Sequence, residues 1–555
     1  MSWNIILPDG KKIQKEGSLY DLSKKLQVHY KGQIFAAKVN GQIKSLLQDE
    51  LKSGSVQFID YTDPDGQRIY QRSLKLLLLK AIYDLYPQYV LSVEHSLGKG
   101  VYCQLHHSMT NQVIQLSNKE IKHIESYMCN LVDQNLPFVK LNEDIDDARD
   151  YFIHNQRDDM AALLSFRDKT SLTMYRLEDY KDYLFGTLVP TTGFLKYFGL
   201  KFYIPGFIVR FPDASEPTKL PEYLEQPKLF EIFRESQRWN NVLGIHTVTD
   251  VNKQIWAKMV QELILINESF HEKKIAKIAD AIASSKDRLK LILIAGPSSS
   301  GKTSFAQRLR IQLKVNGIDP IPISLDDYFV NREQTPIDED GNFDFESIEA
   351  IDIGLFNEHL SELINGSQIE LPTFNFKTGE REYRGKSIQL LPNQPLIIEG
   401  IHCLNERLTK YIPKGNKYKI YVSALTSLNF DRHNRIPTAD LRLLRRIVRD
   451  HQYRGNSAQN TIRMWQSVRK GEEKNIFPFQ EEADIMFNST LLYEISVLKT
   501  FAEKLLYEIP LESFEYVEAQ RLLRFLSYVE PIEDTYIPCT SFLKEFIGGS
   551  CLFDL

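Results

Sequence analysis

Cysteine is scarce in this chain: five in 555 residues (Cys103, Cys129, Cys403, Cys539 and Cys551), scattered and with no C-x-x-C pair. That excludes a disulfide framework. Long apolar runs are missing too. A stretch such as LILIAG at 291–296 falls far short of the ~20 residues that cross a bilayer. The start, MSWNIILPDGKK, has neither the basic n-region nor the apolar h-region of a signal peptide. No sign of charge dominates. Lys+Arg total 68 against 73 Asp+Glu, a formal net charge of -5, which argues against a general polyanion binder but leaves room for a local basic cleft. Repeats, low-complexity tracts and heptads are also absent. What remains is an ordinary globular balance, 43% hydrophobic and 25% charged. At ~150 residues per domain, 555 residues suggest three or four domains. A soluble, multidomain α/β protein of a reducing compartment, and so a cytoplasmic location, is the expectation.

The first ~60 residues read as a compact α/β unit. Ile5-Ile6-Leu7 runs into a Pro8-Asp9-Gly10 turn, 19–26 has helical spacing, IFAAKVNG (34–41) is a strand ending in an Asn-Gly turn, and VQFIDY (56–61) is another strand. Helices are expected over 72–86, over 118–135 with Ser117 and Glu120 in capping-box spacing, and over 142–154. The segment 213–226 holds two prolines and many charges, so a boundary belongs there, and 252–285 is strongly helical.

The strongest signal begins at Leu291. In LILIAGPSSSGKTSFAQRLR a short apolar run precedes Gly296-x4-Gly301-Lys302-Thr303, and an amphipathic helix follows. Glycines let backbone N–H groups curl round phosphates, the helix N-terminus adds its positive end, Lys302 reaches the β/γ-phosphates and the Thr303 hydroxyl suits Mg²⁺. Gly296, Pro297, Ser298, Ser299, Ser300, Gly301, Lys302, Thr303 and Ser304 are therefore the candidate nucleotide-binding residues. Downstream, ISLDDYF (323–329) reads as a second parallel strand whose acids Asp326 and Asp327 fall at its carboxyl edge, where one accepts a hydroxyl proton or holds a metal. PLIIEGIHCL (395–404) repeats the pattern with Glu399 as a metal or water ligand. Residues 431–470 hold ten Lys/Arg against three Asp/Glu, and Arg442, Arg445, Arg446 and Arg449 share one helical face. A phosphoryl transition state needs such a cationic clamp, and RNA phosphate would also suit it.

These residues together resemble the uridine kinase and phosphoribulokinase family of P-loop kinases. GPSSSGKTSF, SLDDYF, GNFDFES, PLIIEGIH, DLRLLRRIVRDHQYRG and EEADIMFNS occur in that family's order across 286–500. The resemblance implies a parallel-sheet kinase domain using ATP and Mg²⁺. Asp326 becomes the base for a sugar 5′-hydroxyl, Asp344 a ligand of the ribose hydroxyls and the arginine run a lid ending at Arg454. With Lys302, Arg445 and Arg449 complete the catalytic set, Phe374 joins the acceptor site, and Thr303 with Glu399 would hold the metal. The chain departs from uridine kinases at Phe374-Asn375-Phe376 and Gly379, where Tyr-Asp-Phe and then His are usual. It departs again at Arg454-Gly455-Asn456, where the lid ends in Arg-Gly-Arg. The phosphate machinery matches and the base recognition does not.

The front resembles another family. ILPDG, AAKVNG and the next strand (1–62) look like the small, β-grasp-like TGS domain of threonyl-tRNA synthetases. RSLKLLLLKAIYDLYP, IESYMCNLVDQNLPF and DYLFGTLVPTTGFLKYF (within 63–225) look like the α+β editing-type domain of those synthetases. Its His-x3-His and Cys-x3-His ligands read here Arg72 and Leu76, Leu184 and Leu188, so the resemblance implies a disarmed editing fold, with an alternative site from His95, His106 and His107 a lesser option. A helical linker (226–285) and a C-terminal helical tail (501–555) complete the expected organisation. The leading expectation is an ATP-dependent kinase of a small-molecule hydroxyl, most of all the 5′-hydroxyl of a nucleoside such as uridine or cytidine. The alternatives are a kinase of a non-nucleoside polyol, or an RNA-binding, translation-linked regulator with a P-loop switch. RNA contact through the front domains and an oligomer stay open; a membrane partner is not expected.

Overall fold

The computed structural model describes residues 2–47, 53–167, 169–285, 288–338, 341 and 343–552. Asn342 of the quoted GNFDFES and the boundary residues 286 and 555 lie outside them.

At the front, five strands form one mixed sheet in the order Lys12–Glu16, Ser2–Ile6, Ser53–Ile59, Ala36–Val39, Gln42–Ser45. The central pair is parallel and the rest antiparallel. The helix Leu19–Leu26 is capped by Ser18, whose hydroxyl accepts from Asp21 N–H at 3.1 Å, and buries Leu22 and Leu26 on Trp3, Ile5 and Val56. Asn40 and Gly41 both take positive φ (48° and 76°), so the expected Asn-Gly turn joins two strands.

The next region has a three-stranded and a five-stranded antiparallel sheet; the helices Pro64–Leu85 and Asn118–Asp133 pack on each other, the first also against Tyr89–Ser96 and Ser171–Leu177 and the second against Gly199–Tyr203. The first helix starts eight residues before the expected 72, because Asp63 caps it (Asp65 N–H at 2.7 Å) and Pro64 takes the first turn. The second carries the capping box read from Ser117 and Glu120. The third differs: 142–144 end the strand Val139–Asp144, paired with Ser171–Leu177, and Asp144 caps the helix Ile145–His154. Of the acids in this stretch, Glu143 lies in the strand, and Asp144 ends the strand and caps the helix.

From Leu291 onward the chain forms a five-stranded, wholly parallel sheet in the order Ile321–Ser324, Leu396–Glu399, Leu291–Ala295, Lys417–Ser423, Ile485–Asn488. The apolar strand Leu291–Ala295 is buried along its whole length at the centre, as a strand covered on both faces must be. The helices Val260–Ala283 and Lys302–Val315 lie against each other on one face. The two expected acidic strands are shorter than their apolar runs. One stops at Ser324 and turns through a single 3-10 turn, Leu325–Tyr328; the other stops at Glu399. The C-terminal region does not stand apart. Helices Glu494–Tyr507 and Tyr516–Leu526 share one apolar core with Phe152, Leu164 and Tyr183 of the front and with Leu444 and Val448 of the arginine helix.

Candidate active site

The phosphate loop links the central strand to the helix Lys302–Val315. A side chain at Gly296 would put its Cβ 1.9 Å from the Val422 carbonyl oxygen, so only glycine lets the loop leave the sheet here. Ser299 and Gly301 take φ of 59° and 84°, the left-handed geometry that turns successive N–H groups toward one concavity. The hydroxyls of Ser299 and Ser300 are buried with no partner, and the Lys302 ammonium falls back on the Pro297 carbonyl at 3.2 Å. Orphan donors at the N-terminus of a helix suit phosphate oxygens.

The strand ends bring the acids to this loop. Glu399 accepts from the Ser324 hydroxyl at 3.0 Å. Burial, then the charge of Asp326, push its carboxyl up to about 7, against the pull of Lys302. Asp327 accepts from the Phe374 N–H at 3.2 Å, and burial raises its carboxyl. Thr303, Ser324, Asp327, Lys386 and Glu399 line a cavity of about 180 Å³ between loop and sheet edge. A hydroxyl and carboxylates are the hard oxygen donors that Mg²⁺ takes, usually together with substrate phosphates and water.

The helix Thr438–Arg454 carries the basic face, and its arginines divide by environment. Arg442 and Arg445 are 1% and 0% exposed. Arg442 pairs with Glu472 and donates to the Ser298 carbonyl at 2.9 Å. Arg445 pairs with Glu494 and donates to the Ser489 carbonyl at 3.0 Å and the Ser299 carbonyl at 3.3 Å. Both therefore brace the loop from beneath. Arg446 donates to the Ser298 hydroxyl at 2.9 Å, and Arg449 leans on Asp450 at 3.2 Å. Arg454 ends the helix with its guanidinium 5.0 Å over the exposed Phe376 ring, and neighbouring Arg449, then burial, bring it down to about 10.

Asp344 accepts from the Glu346 N–H at 3.2 Å and is half-buried. Phe374 is buried, its ring centre 5.5 Å from Phe329 and 5.2 Å from Phe376, so it supports the wall on which Phe376 and Arg454 meet.

Three glutamates at the site had no motif to announce them. Glu472 accepts from the Ser298 N–H at 3.0 Å. Glu545 accepts from Ser304. Glu346 holds a buried Oε2 without a partner, and burial, then Glu472, raise its carboxyl to about 7. Glu346 belongs to GNFDFES, two residues after Asp344; the other two reach the loop from far along the chain.

In the front region, Leu76, Leu184 and Leu188 are buried in one apolar core, and Arg72 donates to the Thr187 carbonyl at 2.7 Å. His95 is stacked on Phe233 at 3.7 Å, and burial lowers its imidazole to about 3. Among the described residues no group of three or more His, Cys, Asp or Glu could hold a metal ion, and no helix is long and apolar enough to cross a membrane.

Residues 291–496 match the model of the phosphoribulokinase / uridine kinase family. The chain is 30% identical over 199 residues to the uridine kinase of Chloroflexus aurantiacus, covering 36% of this chain and 85% of that one. It is 32% identical over 198 residues to the uridine kinase of Bacillus pumilus, covering 35% and 84%. A solved structure described as a possible uridine kinase from Bacillus stearothermophilus aligns at 19% identity with a TM-score of 0.25, covering 36% of this chain and 89% of that one. A P-loop, two acidic strand ends and an arginine helix on a parallel sheet agree with that match, and through residues 291–496 the chain belongs to the phosphoribulokinase / uridine kinase family.

Proposed function

We propose that the protein transfers the γ-phosphoryl group of ATP to a hydroxyl of a small molecule, and that the acceptor is a nucleoside using its 5′-hydroxyl. One observation carries this reading: the sheet delivers Glu399 beside Ser324, at the strand end from which the turn holding Asp326 departs, next to a loop whose Ser299 and Ser300 hydroxyls are buried without a protein partner and whose Lys302 reaches only the Pro297 carbonyl. The phosphates of ATP would lie on the N–H groups of 296–304, with Lys302 on the β/γ oxygens. Thr303 and Glu399 would hold Mg²⁺, which neutralises charge on the phosphates. Asp326 would take the proton of the acceptor hydroxyl. Arg446 and Arg449 are the members of that face not tied to a buried glutamate; with Arg445 holding the loop, they would meet charge developing on the transferred group. Asp344, Phe374 and Arg454 would form the acceptor side. Water excluded from such a closed site favours transfer over hydrolysis.

The front is proposed to be a TGS-like unit (1–62) and an editing-like unit (63–225) that has lost its hydrolytic site. The strand order of the first sheet and the apolar burial of Leu76, Leu184 and Leu188 support this. Residues 226–285 link them to the kinase unit 286–500 and its tail 501–555, and a cytoplasmic location fits such a salvage activity. A panel of nucleosides and sugars, scored for ATP-dependent phosphorylation, tests the acceptor. Uridine or cytidine turnover that disappears in Lys302→Ala supports the reading; failure of both pyrimidine nucleosides removes them and leaves a polyol acceptor.

A further inference from the structure

The N-terminus of the phosphate-loop helix already holds an anion supplied by the chain itself. Glu545 Oε2 accepts from the Ser304 N–H at 3.0 Å and from the Ser304 hydroxyl at 2.7 Å. Ser304 and Glu545 are both buried, at 0% and 6% exposure. The contact is built from several sides. Phe542 is fully buried, its ring 5.6 Å from that of Phe487 and its edge 3.0 Å from where a side chain on Gly301 would begin. The guanidinium of Arg308 lies 5.0 Å over Phe542, and that of Arg445 lies 5.0 Å over Phe546. Gln452 at the end of the arginine helix donates to the Ile547 carbonyl at 3.0 Å. The segment is thus tied to the loop, the loop helix and the arginine helix at once.

A P-loop gives its backbone N–H groups to the α- and β-phosphates, with the lysine reaching the β/γ oxygens. Ser304 lies two residues beyond Lys302, in the first turn of the helix, and the P-loop arrangement would give its N–H to the α-phosphate. An anion there is stabilised by the N–H group and the helix dipole whichever molecule carries it. Two anions cannot share that donor.

We infer that Glu545 occupies the α-phosphate position on the phosphate loop, so that segment 541–547 and a nucleotide compete for one helix N-terminus. Nucleotide entry then displaces the carboxylate and releases the segment from the loop and the arginine helix. The inference rests on the nucleotide-binding reading above and adds a built-in competitor to it.

The test uses the full chain and Mg²⁺-ATP. Calorimetric titration of the wild type and of Glu545→Gln, which keeps the side-chain shape and removes its charge, should show tighter binding by the variant, by about tenfold or more, the size of a charge-assisted hydrogen bond. Equal or weaker binding by the variant overturns the competition while the phosphate-loop reading stands. Absence of ATP binding by both proteins overturns both. Amide exchange of 541–547 in the wild type supplies a readout that needs no variant: ATP should speed it, and unchanged or slower exchange overturns the proposal.

Discussion

At the scale of residues, the site buries carboxyls beside like charges, Glu399 by Asp326 and Glu346 by Glu472. Glu399 and Glu346 are both raised to about 7 by burial first, and the nearest opposing charges come from Lys302 and Arg446. Glu346 has a simple consequence for stability. Its ordinary value is 4.5, so between pH 4.5 and about 7 the folded chain keeps a proton that the unfolded chain releases. Stability must then fall as pH rises through that window. Glu346→Gln cannot titrate, so its melting temperature should decline less than that of the wild type between pH 4.5 and 8; parallel declines would show that Glu346 is not held protonated. The sequence showed Asp326, Glu399 and Lys302 because each sits in a local pattern of strand end or glycine loop. It did not show Glu472 or Glu545, which sit in no local pattern and meet Ser298 and Ser304 only when the chain folds.

At the scale of elements, the basic helix Thr438–Arg454 divides its arginines between two environments where its spacing suggested one face. Helical periodicity correctly put Arg442, Arg445, Arg446 and Arg449 on a single face. It could not say which of them meet an acid, because Glu472 and Glu494 come from two other helices. Burial opposes ionisation of Glu494 and Arg445 opposes that effect in turn, so the pair is stable only together. Removing one partner of such a pair costs about 3–5 kcal/mol. Glu494→Gln should therefore lower unfolding free energy by that order in a denaturant titration, and a loss below about 1 kcal/mol would show that Arg445 finds another acceptor. The misplaced start of the helix over 142–154 has the same physical origin: a local acid cluster satisfies a helix N-terminus and a strand end alike, and pairing with Ser171–Leu177 decided between them.

At the scale of the molecule, the front and the kinase sheet are joined through charge as well as apolar surface. Arg157 reaches Asp431 at 3.0 Å and Asp159 at 3.0 Å, and also contacts His433. Lys75 donates to the His433 carbonyl at 2.7 Å, and Arg432 N–H donates to Asp159 at 2.7 Å. His433 and Arg157 outweigh burial to hold Asp182 well below the usual carboxylate range, whereas burial, then Arg157, lower His433. These contacts fix 429–435, the loop that leads into the arginine helix. Composition and motifs could not reveal this, since the partners lie some 250 or more residues apart. Arg157→Ala would leave Asp431 and Asp159 without their common cation. It should destabilise the whole chain by about 3–5 kcal/mol and lower acceptor turnover, seen in one thermal transition that moves down as a unit. Independent transitions for front and kinase would contradict the coupling.

The most direct test of the central claim is whether ATP consumption depends on a small hydroxyl acceptor, measured as ADP release by the wild-type chain and by Asp326→Asn with a nucleoside mixture, with RNA, and with neither. The account predicts release driven by the nucleosides, with matching phosphorylated product, and lost in Asp326→Asn although the variant melts like the wild type. Release driven by RNA alone, or unchanged turnover by Asp326→Asn, would contradict it.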